Sequence, residues 1–93
     1  ERFELAQNYP NPFNPVTRIR YSITERAVVN IIVYDILGNK VSEIVSSAQN
    51  SGTYEAGFDA SGFASGVYLY RINAVSNEGN KLFSDTKRMI LIK

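Results

Sequence analysis

Three features of this 93-residue sequence predict an all-β, two-layer sandwich. Apolar residues recur at every second position in several short runs, as half-buried strands require. Clusters of turn-forming residues separate those runs at the spacing of sandwich hairpins. No stretch carries a helical pattern long enough for a βαβ crossover.

The organising element is a hairpin from Val29 to Val45. Val29, Ile31 and Val33 share one strand face, with Val28, Asn30, Ile32 and Tyr34 on the other. Asp35-Ile36-Leu37-Gly38 fits a type I turn followed by a glycine at positive φ, which reverses the chain. Val41 to Val45 is rich in β-branched residues and forms the return strand; Asn39 and Lys40 are tolerated where it leaves the turn. A lone hairpin is marginal in water, so the other segments must supply more strands and a second layer.

Taken in order, Glu1 to Pro15 reads as an edge strand with alternating Phe3 and Leu5, then a stiff loop holding all three prolines. Pro12-Phe13-Asn14-Pro15 has PxxP spacing, but Phe13 favours burial, so the loop is read as structural. Val16 to Ile23 sets Thr17, Ile19, Tyr21 and Ile23 against Arg18, Arg20 and Ser22 on a wet face. Ser46 to Gly52 reads as a polar loop, and Thr53 to Asp59 as a strand with Tyr54, Ala56 and Phe58 on one face.

Asp59 to Gly66 is expected to cross between sheets through a single turn capped by the Asp59 carboxylate. Val67 to Ala74 follows as a strand with Tyr68, Tyr70, Ile72 and Ala74 inward, and Tyr68 is expected to bond upstream backbone as a tyrosine corner. Asn77-Glu78-Gly79-Asn80 is a second glycine-bearing turn. Lys81 to Lys93 ends in the run Met89 to Ile92, where periodicity leaves the buried face open. The sum is one domain, an immunoglobulin-like sandwich of about seven antiparallel strands.

Composition narrows the chemistry. With no cysteine and no histidine, disulfides, thiolate nucleophiles and the usual general base and metal ligand are absent. Ten basic against nine acidic side chains disfavour nucleic acid as a partner. No apolar run approaches the roughly 20 residues that span a bilayer, and the N-terminal residues lack a leader pattern. Starting at Glu1, the chain is read as a piece of a longer polypeptide. Lys40, Lys81, Lys87 and Lys93 are placed in turns or ends, where a lysine stays solvated and protonated. Asp35 and Asp59 are read as turn caps rather than as a glycosidase pair. The expectation is a non-enzyme without metal or cofactor.

Five stretches in order, Leu5-Ala6-Gln7-Asn8-Tyr9-Pro10-Asn11-Pro12-Phe13-Asn14-Pro15, Val33-Tyr34-Asp35-Ile36-Leu37-Gly38, Phe58-Asp59-Ala60-Ser61, Ser65-Gly66-Val67-Tyr68-Leu69-Tyr70-Arg71 and Lys87-Arg88-Met89-Ile90-Leu91-Ile92-Lys93, carry a resemblance. Together they closely resemble the type A C-terminal sorting domain of type IX (Por) secretion cargo. The resemblance implies a seven-stranded immunoglobulin-like sandwich fused behind a cargo protein of Bacteroidetes. It also implies passage via the periplasm and the outer-membrane type IX translocon to the cell surface or medium, and removal by a sortase-like protease. By position it assigns the terminal basic motif to Lys87, Arg88 and Lys93. It puts the Gly-Val-Tyr motif on Gly66, Val67 and Tyr68, and the hairpin-turn motif on Tyr34, Asp35 and Gly38. Arg88 stands where lysine is common, which keeps the charge but changes the hydrogen-bond geometry.

A physical mechanism is expected beside the resemblance. Either the last strand leaves backbone groups at an open edge, where a partner adds a strand while its acidic groups meet Lys87, Arg88 and Lys93, or it only completes the sandwich and its charges protect that edge. The competing reading is a passive accessory or carbohydrate-binding module of a polysaccharide-degrading enzyme. That role needs a row of exposed aromatics, for which Tyr34 is the candidate, the other tyrosines being mostly assignable to inward faces.

Overall fold

The computed structural model describes residues 2–93. Seven strands are formed among them: β1 (Glu4–Leu5), β2 (Val16–Ile23), β3 (Ala27–Asp35), β4 (Lys40–Gln49), β5 (Gly52–Asp59), β6 (Gly66–Val75) and β7 (Lys81–Leu91). They make a three-stranded sheet in the order β1-β2-β5 and a four-stranded sheet in the order β4-β3-β6-β7. Every ladder is antiparallel, as the immunoglobulin-like reading expects.

The core lies between the sheets, where alternation on each strand puts it. Thr17, Ile19, Tyr21 and Ile23 of β2 are buried, as are Ala27, Val29, Ile31 and Val33 of β3 and Tyr68, Tyr70, Ile72 and Ala74 of β6. Each buried aliphatic side chain contributes about 1.5–3 kcal/mol relative to exposure, so these faces set the register. Register also resolves the Met89 to Ile92 run. Tyr68 pairs with Met89 and Gly66 with Leu91, so Met89 and Leu91 share the inward face of Tyr68. Both are buried.

One expectation is corrected. Ser46 does not begin a loop, because β4 continues to Gln49 and pairs Ser46, Ser47, Ala48 and Gln49 with Asn30, Val29, Val28 and Ala27. Its polar composition reflects an edge strand with wet side chains. The corner after Asp59 crosses between sheets through a single turn capped by the Asp59 carboxylate, as the small residues and Gly62 around it suggest. Asp59 Oδ1 accepts from the Ser61 N–H at 3.0 Å and from the Ser61 hydroxyl. The Phe63 N–H then donates to the Ala60 carbonyl at 3.0 Å.

The two edges of the four-stranded sheet differ. On β4 the ladder with β3 shifts register twice, so that Ile44 and Val41 are left without partners. The β6–β7 ladder runs unbroken from Gly66 and Leu91 to Ala74 and Phe83.

Candidate functional site

The hairpin turn after Tyr34 is built by one carboxylate. Asp35 Oδ1 accepts from the N–H groups of Leu37 and Asn39, both at 2.9 Å, and Oδ2 accepts from Asn39 Nδ2 at 3.2 Å. Led by the bond from the Asn39 backbone N–H, these donors hold the carboxyl below the usual carboxylate range. Gly38 adopts φ +89°, the left-handed conformation that closes such a turn. Ile36 and Leu37 at its tip are 70% and 82% exposed. Tyr34 is half-buried and stands beside Leu69 on the outer face.

At the sheet crossing, the Tyr68 hydroxyl donates to the Ala64 carbonyl at 2.6 Å, four residues upstream. Gly66 takes φ +153°, which a side chain disfavours, as it turns the chain into β6. Asp59 is held below the usual carboxylate range, first by the Ser61 hydroxyl and then by the Ser61 N–H.

The three basic residues near the chain end do not converge. Lys87 alternates with Met89 on the inward side of β7 and sits at the rim, half-buried, 4.0 Å from Asp85. It lies in mid-strand rather than at a turn or end, because β7 starts at Lys81 and not later. Arg88 faces outward beside Leu69 and is exposed. Lys93 folds back towards the sheet crossing, where its Nζ donates to the Ser61 carbonyl at 2.6 Å and its N–H to Ser65 Oγ at 3.0 Å.

The expected open edge on β7 is covered. Gln7 Nε2 donates to the Arg88 carbonyl at 2.6 Å, and Asn11 Oδ1 accepts from the Ile90 N–H at 2.9 Å. The Phe13 N–H donates to the Ile90 carbonyl and the Phe13 carbonyl accepts from Ile92, both at 2.9 Å. Phe13 is 2% exposed and packs against Phe58 with ring centroids 6.2 Å apart. The proline-rich lead-in therefore lies along the edge that was expected to be free.

Inside, the lead-in is fastened by Tyr70. Its hydroxyl accepts from the Asn8 N–H at 2.8 Å and donates to the Ala6 carbonyl at 2.7 Å. Burial pushes this phenol up to about 12. Asn8 Nδ2 donates to Thr17 Oγ1 at 3.0 Å and to the Pro10 carbonyl at 3.1 Å. Sequence reasoning did not single out Gln7, Asn8, Asn11 and Tyr70 as the residues that hold the lead-in. For the three amides the signal was their density beside prolines, since an amide side chain supplies both a donor and an acceptor where proline breaks the ladder.

Among the described residues no group of three or more acidic side chains is placed to hold a metal ion, and no helix is long and apolar enough to cross a membrane. A shallow cleft lined by Arg2, Glu4, Ser22, Ile23, Gly52 and Thr53 has no pair of titratable groups suited to acid–base exchange. Tyr9 is 80% exposed. Tyr54 stacks on the buried Tyr21 with centroids 5.5 Å apart, so the tyrosines make no exposed row for a sugar chain.

Residues 7–89 match the family described as the secretion system C-terminal sorting domain. No curated protein matches the sequence. Among solved structures, CopC from Methylosinus trichosporium OB3b is similar over 97% of this chain and 93% of its own, at 17% identity and a TM-score of 0.58. That likeness concerns the fold.

Proposed function

The chain belongs to the secretion system C-terminal sorting domain family, and from that premise we propose that it takes a cargo protein through the outer-membrane type IX translocon. It is a type IX sorting domain, and its family implies export to the cell surface or medium. Our reading adds a route via the periplasm, recognition of β7 by translocon components through Arg88 and Lys93 with Lys87 at the rim, and removal by a sortase-like protease. The observation that carries it is the family match across residues 7–89, which takes in the proline-rich part of the lead-in, the hairpin and most of β7. The exposure of Arg88 and the position of Lys93 beside the sheet crossing support the basic residues as contacts. Exposed cations meet carboxylates at a small desolvation cost and act mainly on the rate and register of association.

The test joins residues 1–93 to a leader-bearing fluorescent reporter in a type IX-competent host. Removing Lys87 to Lys93 is unsuitable, because Met89 and Leu91 belong to the core. Arg88→Ser with Lys93→Ser leaves the core intact. Export of the parent fusion, with the double variant folded by circular dichroism but retained, is the expected result. Export of both would remove the basic residues from the reading. Retention of both would leave the domain a passive module.

A further inference from the structure

The lead-in covers β7 as an incomplete strand. From Arg88 to Ile92, four outward backbone groups are satisfied by two side-chain amides, from Gln7 and Asn11, and by the main chain of one residue, Phe13. A regular strand would pair through its own main chain throughout. This segment does not, because Pro10 and Pro12 flank Asn11, fix φ on either side of it and keep the chain from running as a regular strand. Phe13 is its buried apolar side chain; Asn8 is buried towards Thr17 and Tyr9 pairs with Arg18 of β2 on the other side, whereas the side chains of Tyr9, Pro10, Asn11, Pro12 and Asn14 are exposed.

We propose that the outer edge of β7 is a strand-acceptor site, that Gln7 to Phe13 is the latch occupying it in cis, and that the occupant taken in trans is an acidic, extended peptide segment of a partner protein with an apolar side chain in the place of Phe13. The acidic character follows from the cations around the edge. Arg88 is exposed and pairs with no carboxylate among the described residues, and Lys87 lies 4.0 Å from its one acidic neighbour, Asp85. A partner strand with an N–H at every residue completes a ladder that the latch leaves to side chains. The latch holds the site against weak competitors through its effective concentration, which for a short tether is on the order of millimolar. Only the assignment of the partner to the secretion apparatus rests on the sorting reading.

Two measurements on the purified 93-residue chain test this. In native-state hydrogen exchange, the Ile90 and Ile92 amides, which face the latch, are expected to exchange at least tenfold faster than those of Met89 and Leu91, which face β6. Equal protection of all four amides would mean that the lead-in leaves only on global unfolding, and would overturn the proposal. The second probe is a labelled peptide of residues 5–15 carrying Glu in place of Pro10 and Thr in place of Pro12. It is expected to bind the chain and to accelerate release of the latch, with at least tenfold tighter binding to the Gln7→Ala, Asn11→Ala chain than to the parent. Peptide with Phe13→Ala is expected not to bind. Failure to bind either chain, or binding that ignores Phe13, would refute a strand-acceptor site. If the double variant does not fold, the exchange pattern and peptide binding of the parent decide alone. Neither readout depends on export, so a failed reporter assay leaves this test intact.

Discussion

The two edges of the four-stranded sheet are protected by different means. β4 protects itself, because two register shifts kink it and leave Ile44 and Val41 out of the ladder, so that no flat template is offered to another strand. β7 is regular over the stretch where Tyr68 meets Met89, and its protection is borrowed from residues near the other end of the chain. An edge blunted by its own irregularity stays blunt whatever the rest of the molecule does. A borrowed cover is conditional, and its strength is set by the few contacts that hold it.

The largest expected effect breaks the borrowed cover. Phe13→Ala is expected to lower the unfolding free energy by about 3–5 kcal/mol in urea titrations, because a buried aromatic leaves a cavity against Phe58. Val41→Ala in the self-protected edge is half-buried and is expected to cost only about 1 kcal/mol. Equal losses would erase the distinction between the edges.

Next comes the fastening of the lead-in. Tyr70→Phe strands the Asn8 N–H and the Ala6 carbonyl and is expected to cost about 1–3 kcal/mol. Tyr68→Phe leaves only the Ala64 carbonyl, which is expected to cost about 0.5–1.5 kcal/mol. Thermal unfolding of the two variants side by side ranks them, and the reverse order would place the sheet crossing above the lead-in.

Tyr70 also predicts an alkaline limb. Its folded value of about 12 lies above the ordinary 10, so the unfolded chain loses the proton first. The stabilisation is complete below pH 10 and falls away as pH rises to about 12. Tyr70→Phe is expected to flatten this limb, leaving the smaller contribution of Tyr21, which burial also raises. An unchanged slope would show that the phenol does not sense the folded state.

The smallest effect concerns the turn that holds β4. Asp35 is lowered in the folded chain, so its contribution is present above the ordinary carboxylate value and is lost as pH falls through the folded one. Asp35→Asn is expected to weaken the acid dependence of stability slightly, since the group is exposed and water screens it. A steep loss of acid sensitivity in this variant would instead make the β3–β4 turn a principal hold on the fold.

Much of this architecture was legible in local pattern. The inward residues of β2, β3 and β6 follow a period of two, and the Asp35 to Gly38 turn needs only a short carboxylate and a glycine within four positions. These features depend on neighbours in the chain, so the sequence by itself determined them.

Tertiary structure decided the rest. The polar half of β4 is a strand because β3 offers it a ladder, and Met89 and Leu91 turn inward because Tyr68 and Gly66 set their register. The covering of β7 joins Gln7 to Arg88 and Asn11 to Ile90, contacts 81 and 79 residues apart. Periodicity reports which face of a segment is apolar, but not which distant segment will lie along its edge. That choice is made only when the sheets pack and the unpaired groups of β7 meet the amides and Phe13 of the lead-in.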